Sequence, residues 1–297
     1  MNLEQLVSPI LFRGDDKVAY RDPTAVYAEG WFHLFFTLVE TEDDGQVYMY
    51  LAKNKSRNLM DWELPKKLTP RDQSLNYSSP GNVIRYQDRW LICFQSYCRE
   101  NGEKYGNANS RLYVMETEDL ESFSEPRILM VKGDIPVRKM GRMIDPYLLQ
   151  DAENPEKWWC FYKQNGVSMS YTYDMVNWTF AGHAKAGENV CVLRKDDIYY
   201  MFHSPRNGIG ILTSKDCVNW EDTGILLTLG QENWIWAKGR ITAGFVMEMP
   251  WQEDEKVWLM FFHGSGPEDE RVVFDQFASI GIAWSKDLIH WDWTGKE

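Results

Sequence analysis

The sequence lacks any long run of apolar residues. No stretch of its 297 residues approaches the roughly 20 needed for a membrane-spanning helix, so a helical span is excluded and no membrane partner is expected. Basic charge is also scarce. There are 32 Lys and Arg against 44 Asp and Glu, a formal net charge of −12. Phosphate backbones need a basic footprint, so nucleic acid is excluded as a partner. Cysteines number five, an odd count without metal-type pairing. Cys93 and Cys191 sit in apolar runs and read as buried, reduced thiols. The opening Met1-Asn2-Leu3-Glu4-Gln5 has no basic segment followed by an apolar one, so no signal peptide is visible. A cytoplasmic protein is expected, or a secreted or periplasmic one if a leader has been removed. Long helical periodicity is missing, as is any Pro/Gly/Ser-rich linker. Residues 1–297 are therefore read as a single domain.

Aromatic residues are abundant, with 14 Trp, 15 Tyr and 14 Phe. They suit half-buried strands and surfaces that stack on sugar rings. They also recur in order. Asp22-Pro23 opens a strand, a turn follows at Glu29-Gly30, and Trp31-Phe32-His33-Leu34-Phe35-Phe36-Thr37 returns. Related openings follow at Ser79-Pro80, Asp145-Pro146, Glu188-Asn189 and near Arg240. Each unit closes on a Ser/Thr-x-Asp-x-x-x-Trp-like turn, at Asp61-Trp62, Ser122-Phe123, Asn177-Trp178, Asn219-Trp220 and His290-Trp291. Asp or Asn in that turn bonds the local backbone, and the aromatic is expected to wedge between units. Five repeats of roughly 40–70 residues, each of about four short antiparallel strands, predict an all-β, five-bladed propeller.

In a propeller the first strand of every blade lines the axis, so equivalent positions converge at one mouth. The repeats align Asp22, Ser79, Asp145, Glu188 and Arg240 or a near neighbour. A lone Asp-Pro is ordinary at a strand start. Three gathered carboxylates repel one another unless a function or a cation requires them. Two chemistries fit. Hard oxygen ligands suit calcium, although no calcium-loop spacing is present. Glycoside hydrolysis needs one carboxylic acid to protonate the leaving oxygen and one carboxylate to activate water or attack carbon.

This order of Asp-Pro in the first blade, Asp-Pro in the third and Glu opening the fourth resembles glycoside hydrolase family 43 and its relatives, from about residue 15 to 293. The resemblance implies enzymes acting on arabinofuranosides, xylosides and some galactosides with inversion at the anomeric carbon. It implies Asp22 as general base, Glu188 as general acid, and Asp145 as the carboxylate that tunes and orients the acid. Arg240 resembles an arginine near the substrate. Two segments depart from the pattern. Glu188-Asn189-Val190 stands where Glu-Gly-Pro is usual, and Ser79-Pro80-Gly81 replaces a Trp/Ala-Pro-Asp-like segment. The retaining fructan hydrolases of the same superfamily carry Arg-Asp-Pro in a later blade and Cys after the acid, which ranks them below family 43.

Further residues are expected at the mouth. His203 and His263 end second strands, as Gln95 and Lys163 do; they are either satisfied structural groups or groups that bind substrate or hold a central ion. Arg142 and Arg206 are solvated loop charges or contacts for an anionic sugar or phosphate. Trp234 and Trp236 form either a sugar-stacking platform or packing between blades. The expected partner is a carbohydrate, with no cofactor required, a structural calcium compatible with the acids, no dedicated metal ligands, and the oligomeric state open. The rival functions are a propeller phosphorylase and a non-catalytic carbohydrate-binding propeller.

Overall fold

The computed structural model describes residues 3–249 and 256–296. Met1 and Asn2, where the chain was read for a leader, lie outside them. The described residues form five antiparallel sheets with only three short 3-10 turns as helix. Blade one comprises Val18–Ala28, Trp31–Thr41, Val47–Ser56 and Lys66–Lys67. Blade two comprises Ser78–Tyr86, Arg89–Gln95, Leu112–Thr117 and Arg127–Ile128. Blade three runs over Ile144–Gln150, Trp158–Lys163, Val167–Thr172 and Trp178–Ala184. Blade four runs over Glu188–Lys195, Ile198–Ser204, Ile209–Ser214 and Glu221–Leu227. First strands touch in cyclic order, and blade five touches blade one. The molecule is a five-bladed β-propeller.

Blade five closes the ring. Its strands Arg240–Glu248, Trp258–Ser265 and Ser279–Ser285 are joined by Trp291–Asp292 and by the N-terminal Ile10–Phe12, both pairing with Ser279–Ser285. The N-terminal strand thereby covers an edge that would otherwise present unpaired backbone groups.

The closing turns explain why each blade ends where it does. Ser56, Thr117, Thr172, Ser214 and Ser285 bond Asn58, Asp119, Asp174, Asp216 and Asp287. The Asn or Asp side chain then accepts backbone N–H groups two and three residues on. Between them Leu59, Leu120, Met175, Cys217 and Leu288 take positive φ and bury their side chains. The closing aromatic packs on the preceding blade. Trp62 meets Phe12, Phe123 meets Phe35, Trp220 meets Phe161, and Trp291 meets Phe202, with ring centroids 5.3–6.2 Å apart. Such aromatic pairs add about 0.5–1.5 kcal/mol beyond their area burial. All five cysteines are buried and unpaired with one another.

Candidate active site

Each opening strand carries a β-bulge. Its pairing with the second strand shifts between Arg21 and Thr24, Ser78 and Asn82, Ile144 and Tyr147, Glu188 and Cys191, and Thr242 and Phe245. A bulge re-aims a side chain. Within each shift one non-glycine residue adopts left-handed backbone: Asp22, Ser79, Asp145, Asn189 and Ala243, with φ of 46–53°. Non-glycine residues pay for that conformation, and it concentrates at functional sites. Gly81 follows Ser79 because blades two and three nearly touch there; a Cβ would sit 1.5 Å from the Pro146 carbonyl oxygen.

This register corrects the sequence alignment in blade four and narrows it in blade five, where Arg240 or a near neighbour is expected. The counterpart of Asp22 and Asp145 in blade four is Asn189, and Glu188 stands one residue earlier, opposite Ser204. In blade five the counterpart is Ala243, three residues beyond Arg240. Asn189 was visible in sequence only as a departure from Glu-Gly-Pro. Its Nδ2 lies 3.4 Å from Asp22 Oδ1, 3.3 Å from Ser79 Oγ and 3.1 Å from Asp145 Oδ1. Ser79 Oγ donates to Asp145 Oδ1 at 2.6 Å. Among the described residues no group of three or more His, Cys, Asp and Glu side chains is arranged to hold a metal. The Asn189 amide meets three oxygens, those of Asp22, Ser79 and Asp145, at the axis.

The second strands hold the bulges in place. The N–H of Asp22 donates to His263 Nδ1 (3.1 Å), that of Ser79 to Thr37 Oγ1 (2.7 Å), that of Asp145 to Gln95 Oε1 (2.6 Å) and that of Ala243 to Ser204 Oγ (2.7 Å). Each bond joins one blade to the next. Blade three has Lys163 at this place, opposite Ile144, and an ammonium cannot accept. His203 is offset by one residue from the position that the sequence assigned to it; Ser204 is the counterpart of His263. His203 Nδ1 instead accepts the Gly187 N–H at 2.9 Å, and burial lowers its pKa to about 4.

An ionic chain unseen in the sequence runs beneath the acids. Glu270, in the loop after Trp258–Ser265, is 3% exposed. It contacts Arg21 at 2.6 Å, Arg240 at 2.5 Å and His263 Nε2 at 3.3 Å. Arg240 also reaches Glu188 Oε1 at 3.0 Å, and Arg21 lies over the Phe274 ring. Burial works against the Glu270 carboxylate, but Arg21, His263 and Arg240 hold its pKa far below the ordinary range. Only the repeat pattern was legible in sequence, and Glu270 lies in a loop that does not repeat. Asp145 shows the opposite shift. Burial first, then the charges of Glu188 and Asp22, push it up to about 7.

Above this ionic chain lies an open recess of roughly 460 Å³ of empty space. Asp22, Asp145, Glu188, Arg240, Arg142 and Gln95 all face it. Arg142 donates through Nε to the Gly106 carbonyl at 2.8 Å. Arg206 lies elsewhere, in an adjoining groove of about 900 Å³. Trp234 and Trp236 do not reach the recess. They stack on one another at 5.2 Å and on Phe262 at 6.0 Å, in a separate groove on blade five. Their ring contacts lie within blade five and not between blades.

The five-bladed propeller thus gathers three acids, Asp22, Asp145 and Glu188, around one axial recess. The family described as glycosyl hydrolases family 32 N-terminal domain matches residues 20–193, a span that holds Asp22, Asp145 and Glu188. The chain belongs to that family. The number is 32, although the motifs resemble family 43. No curated protein matches the chain in sequence. Solved structures share the fold. A thermostable family-43 glycoside hydrolase is 14% identical over 94% of each chain, with a TM-score of 0.62. The α-L-arabinofuranosidase PaAbf62A from Podospora anserina, solved with cellotriose, is 14% identical over 90% of each chain (TM-score 0.65). The Cellvibrio cellulosa α-L-arabinanase is 13% identical over 90% of this chain and 92% of its own (TM-score 0.61). Identities this low speak to the fold and not to the substrate.

Proposed function

We propose that this glycoside hydrolase removes a terminal sugar of arabinofuranoside, xyloside or galactofuranoside type by an inverting acid/base reaction. One observation carries the reading. Asp22 and Asp145 line the recess but not the adjoining groove, whereas Glu188 lines both. A sugar seated over Asp22 and Asp145 would place its glycosidic oxygen toward Glu188, with the leaving group crossing into the groove.

In this scheme Glu188 protonates the leaving oxygen while Asp22 takes a proton from the attacking water. The water's oxygen bonds to the anomeric carbon as the carbon–oxygen bond to the leaving group breaks. Inversion requires roughly 6.5–9.5 Å between acid and base. Asp145, with its pKa raised to about 7, keeps a proton over much of the acidic range and limits the negative charge crowded at the axis.

Glu188→Gln is the direct test. It should cost ~10²–10⁴-fold in kcat on a natural-type substrate, and much less on a nitrophenyl glycoside whose leaving group needs no proton. Equal losses on both would overturn the acid assignment. Proton NMR of the first-formed anomer tests inversion; retention would make Asp22 a nucleophile. Release of a sugar 1-phosphate only in the presence of phosphate would replace hydrolysis by phosphorolysis.

A further inference from the structure

The groove beside Glu188 differs in charge from the rest of an acidic protein. Its lining includes Lys163, Arg206, Arg240 and Arg271 against Glu188, Asp269 and Glu270. The three acids are already engaged. Asp269 holds Arg271 through two contacts of 2.9 and 3.1 Å; Glu270 and Glu188 both hold Arg240. Lys163 and Arg206 have no ion pair within 4 Å among the described residues. Lys163 is the more informative of the two. The other four blades place an acceptor at its position (Thr37, Gln95, Ser204 and His263) and use it to tie one blade to the next. Blade three forgoes that bond and points a cation at the groove. Glu188 and Arg240 are the two described residues that line both cavities, so whatever leaves across Glu188 passes Lys163 and Arg206.

From this geometry we infer that the leaving-group side of the site recognises a negatively charged group, a carboxylate, sulfate or phosphate carried on the aglycone. The inference rests on the hydrolase reading for the direction in which the leaving group exits. Lys163 and Arg206 supply charge-assisted hydrogen bonds, with Arg206 able to grip a planar carboxylate in two-point fashion. Both cations act on binding and on the position of the leaving oxygen, and neither takes part in proton transfer.

Equilibrium binding tests this without turnover. Glucuronate, glucose 6-sulfate, glucose and inorganic phosphate would each be titrated into the wild type, Lys163→Gln, Arg206→Gln and the exposed blade-four control Lys215→Gln. The wild type should bind the two anionic sugars at least tenfold more tightly than glucose. Each groove variant should lose roughly tenfold or more of that preference, and Lys215→Gln should keep it. A preference for glucuronate over the sulfated sugar identifies the anion as carboxylate, and the reverse as sulfate. Equal affinity for glucose and the anionic sugars, or a preference that survives both groove variants, overturns the inference. Tight binding of phosphate alone, displaced by neither anionic sugar, also overturns it by making the groove a nucleophile site. A wild type that binds glucuronate as described but hydrolyses no aryl glycoside would sink the hydrolase reading while leaving the anion site standing.

Discussion

His263 accepts the backbone N–H of Asp22 through Nδ1 at 3.1 Å, which leaves its proton on Nε2, facing Glu270 at 3.3 Å. The same imidazole thus ties the left-handed turn that aims Asp22 to the buried carboxylate that holds Arg240. One tautomer serves both contacts, and the 3.6 Å approach of Nδ1 to Asp22 Oδ1 is proximity, because that nitrogen's lone pair is already used.

His263→Ala should therefore cost stability and turnover together. It strands the Asp22 N–H and one face of Glu270, a loss of about 1–3 kcal/mol for each buried group left unpaired. His263→Gln should recover part of both, because Gln95 already performs this task for Asp145 in blade two. Urea denaturation and kcat, measured on the two variants side by side, check the ranking.

Glu270→Gln should destabilise the fold by about 3–5 kcal/mol at neutral pH, the usual effect of breaking a buried ionic cluster from one side. The sign with pH follows from its depressed pKa. Glu270 contributes stability above the unfolded carboxylate range, and that stability is lost as the pH falls toward its folded value. The variant should consequently show a flatter decline of Tm in acid than the wild type.

Asp145 should behave in the opposite sense. Its folded pKa is raised to about 7, so between roughly pH 4 and 7 the native state holds a proton that the unfolded chain releases. Stability should fall as the pH rises through that window. Asp145→Asn should remove this slope and match or exceed wild-type stability near pH 8, while turnover drops. A wild-type Tm that climbs from pH 5 to 8 with a slope unchanged in Asp145→Asn would count against the assignment.

Asn189→Asp should add a fourth carboxylate to the recess and delete the amide that faces Asp22, Ser79 and Asp145. The expected result is a loss of about 1–3 kcal/mol at neutral pH, partly recovered on acidification, and at least a tenfold fall in kcat/KM. Thermal melts across pH 5–8 test the recovery.

The closing turns were legible in the sequence because their chemistry is local: Asp174 bonds the N–H groups of Val176 and Asn177 wherever the chain goes next. Asp22 and Asp145 were legible because Pro follows each of them. Blade four misled because the residue facing the axis is set by the bulge, a relation between two strands, and Asn189 beside Glu188 carries no mark of it. His203 missed by one residue for the same reason, since a one-residue change of register reverses the face of a strand. Glu270 lies in a loop, and its partners Arg21 and Arg240 come from opposite ends of the sequence.

Gly14 donates its N–H to Ser279 Oγ from 265 positions away, beside the pairing of Ile10–Phe12 with Ser279–Ser285. During synthesis, at about 5–20 residues per second, the Ile10–Phe12 strand leaves the ribosome long before its partner exists. Ile10, Leu11 and Phe12 wait as an uncovered apolar edge, open to chaperones or to mispairing. Blades one to four can form as they emerge, but the recess stays incomplete until blade five brings Arg240, with Glu270 and His263 behind it. The ring is clasped only once Ser279–Ser285 has been made, and the recess is completed in the same late step.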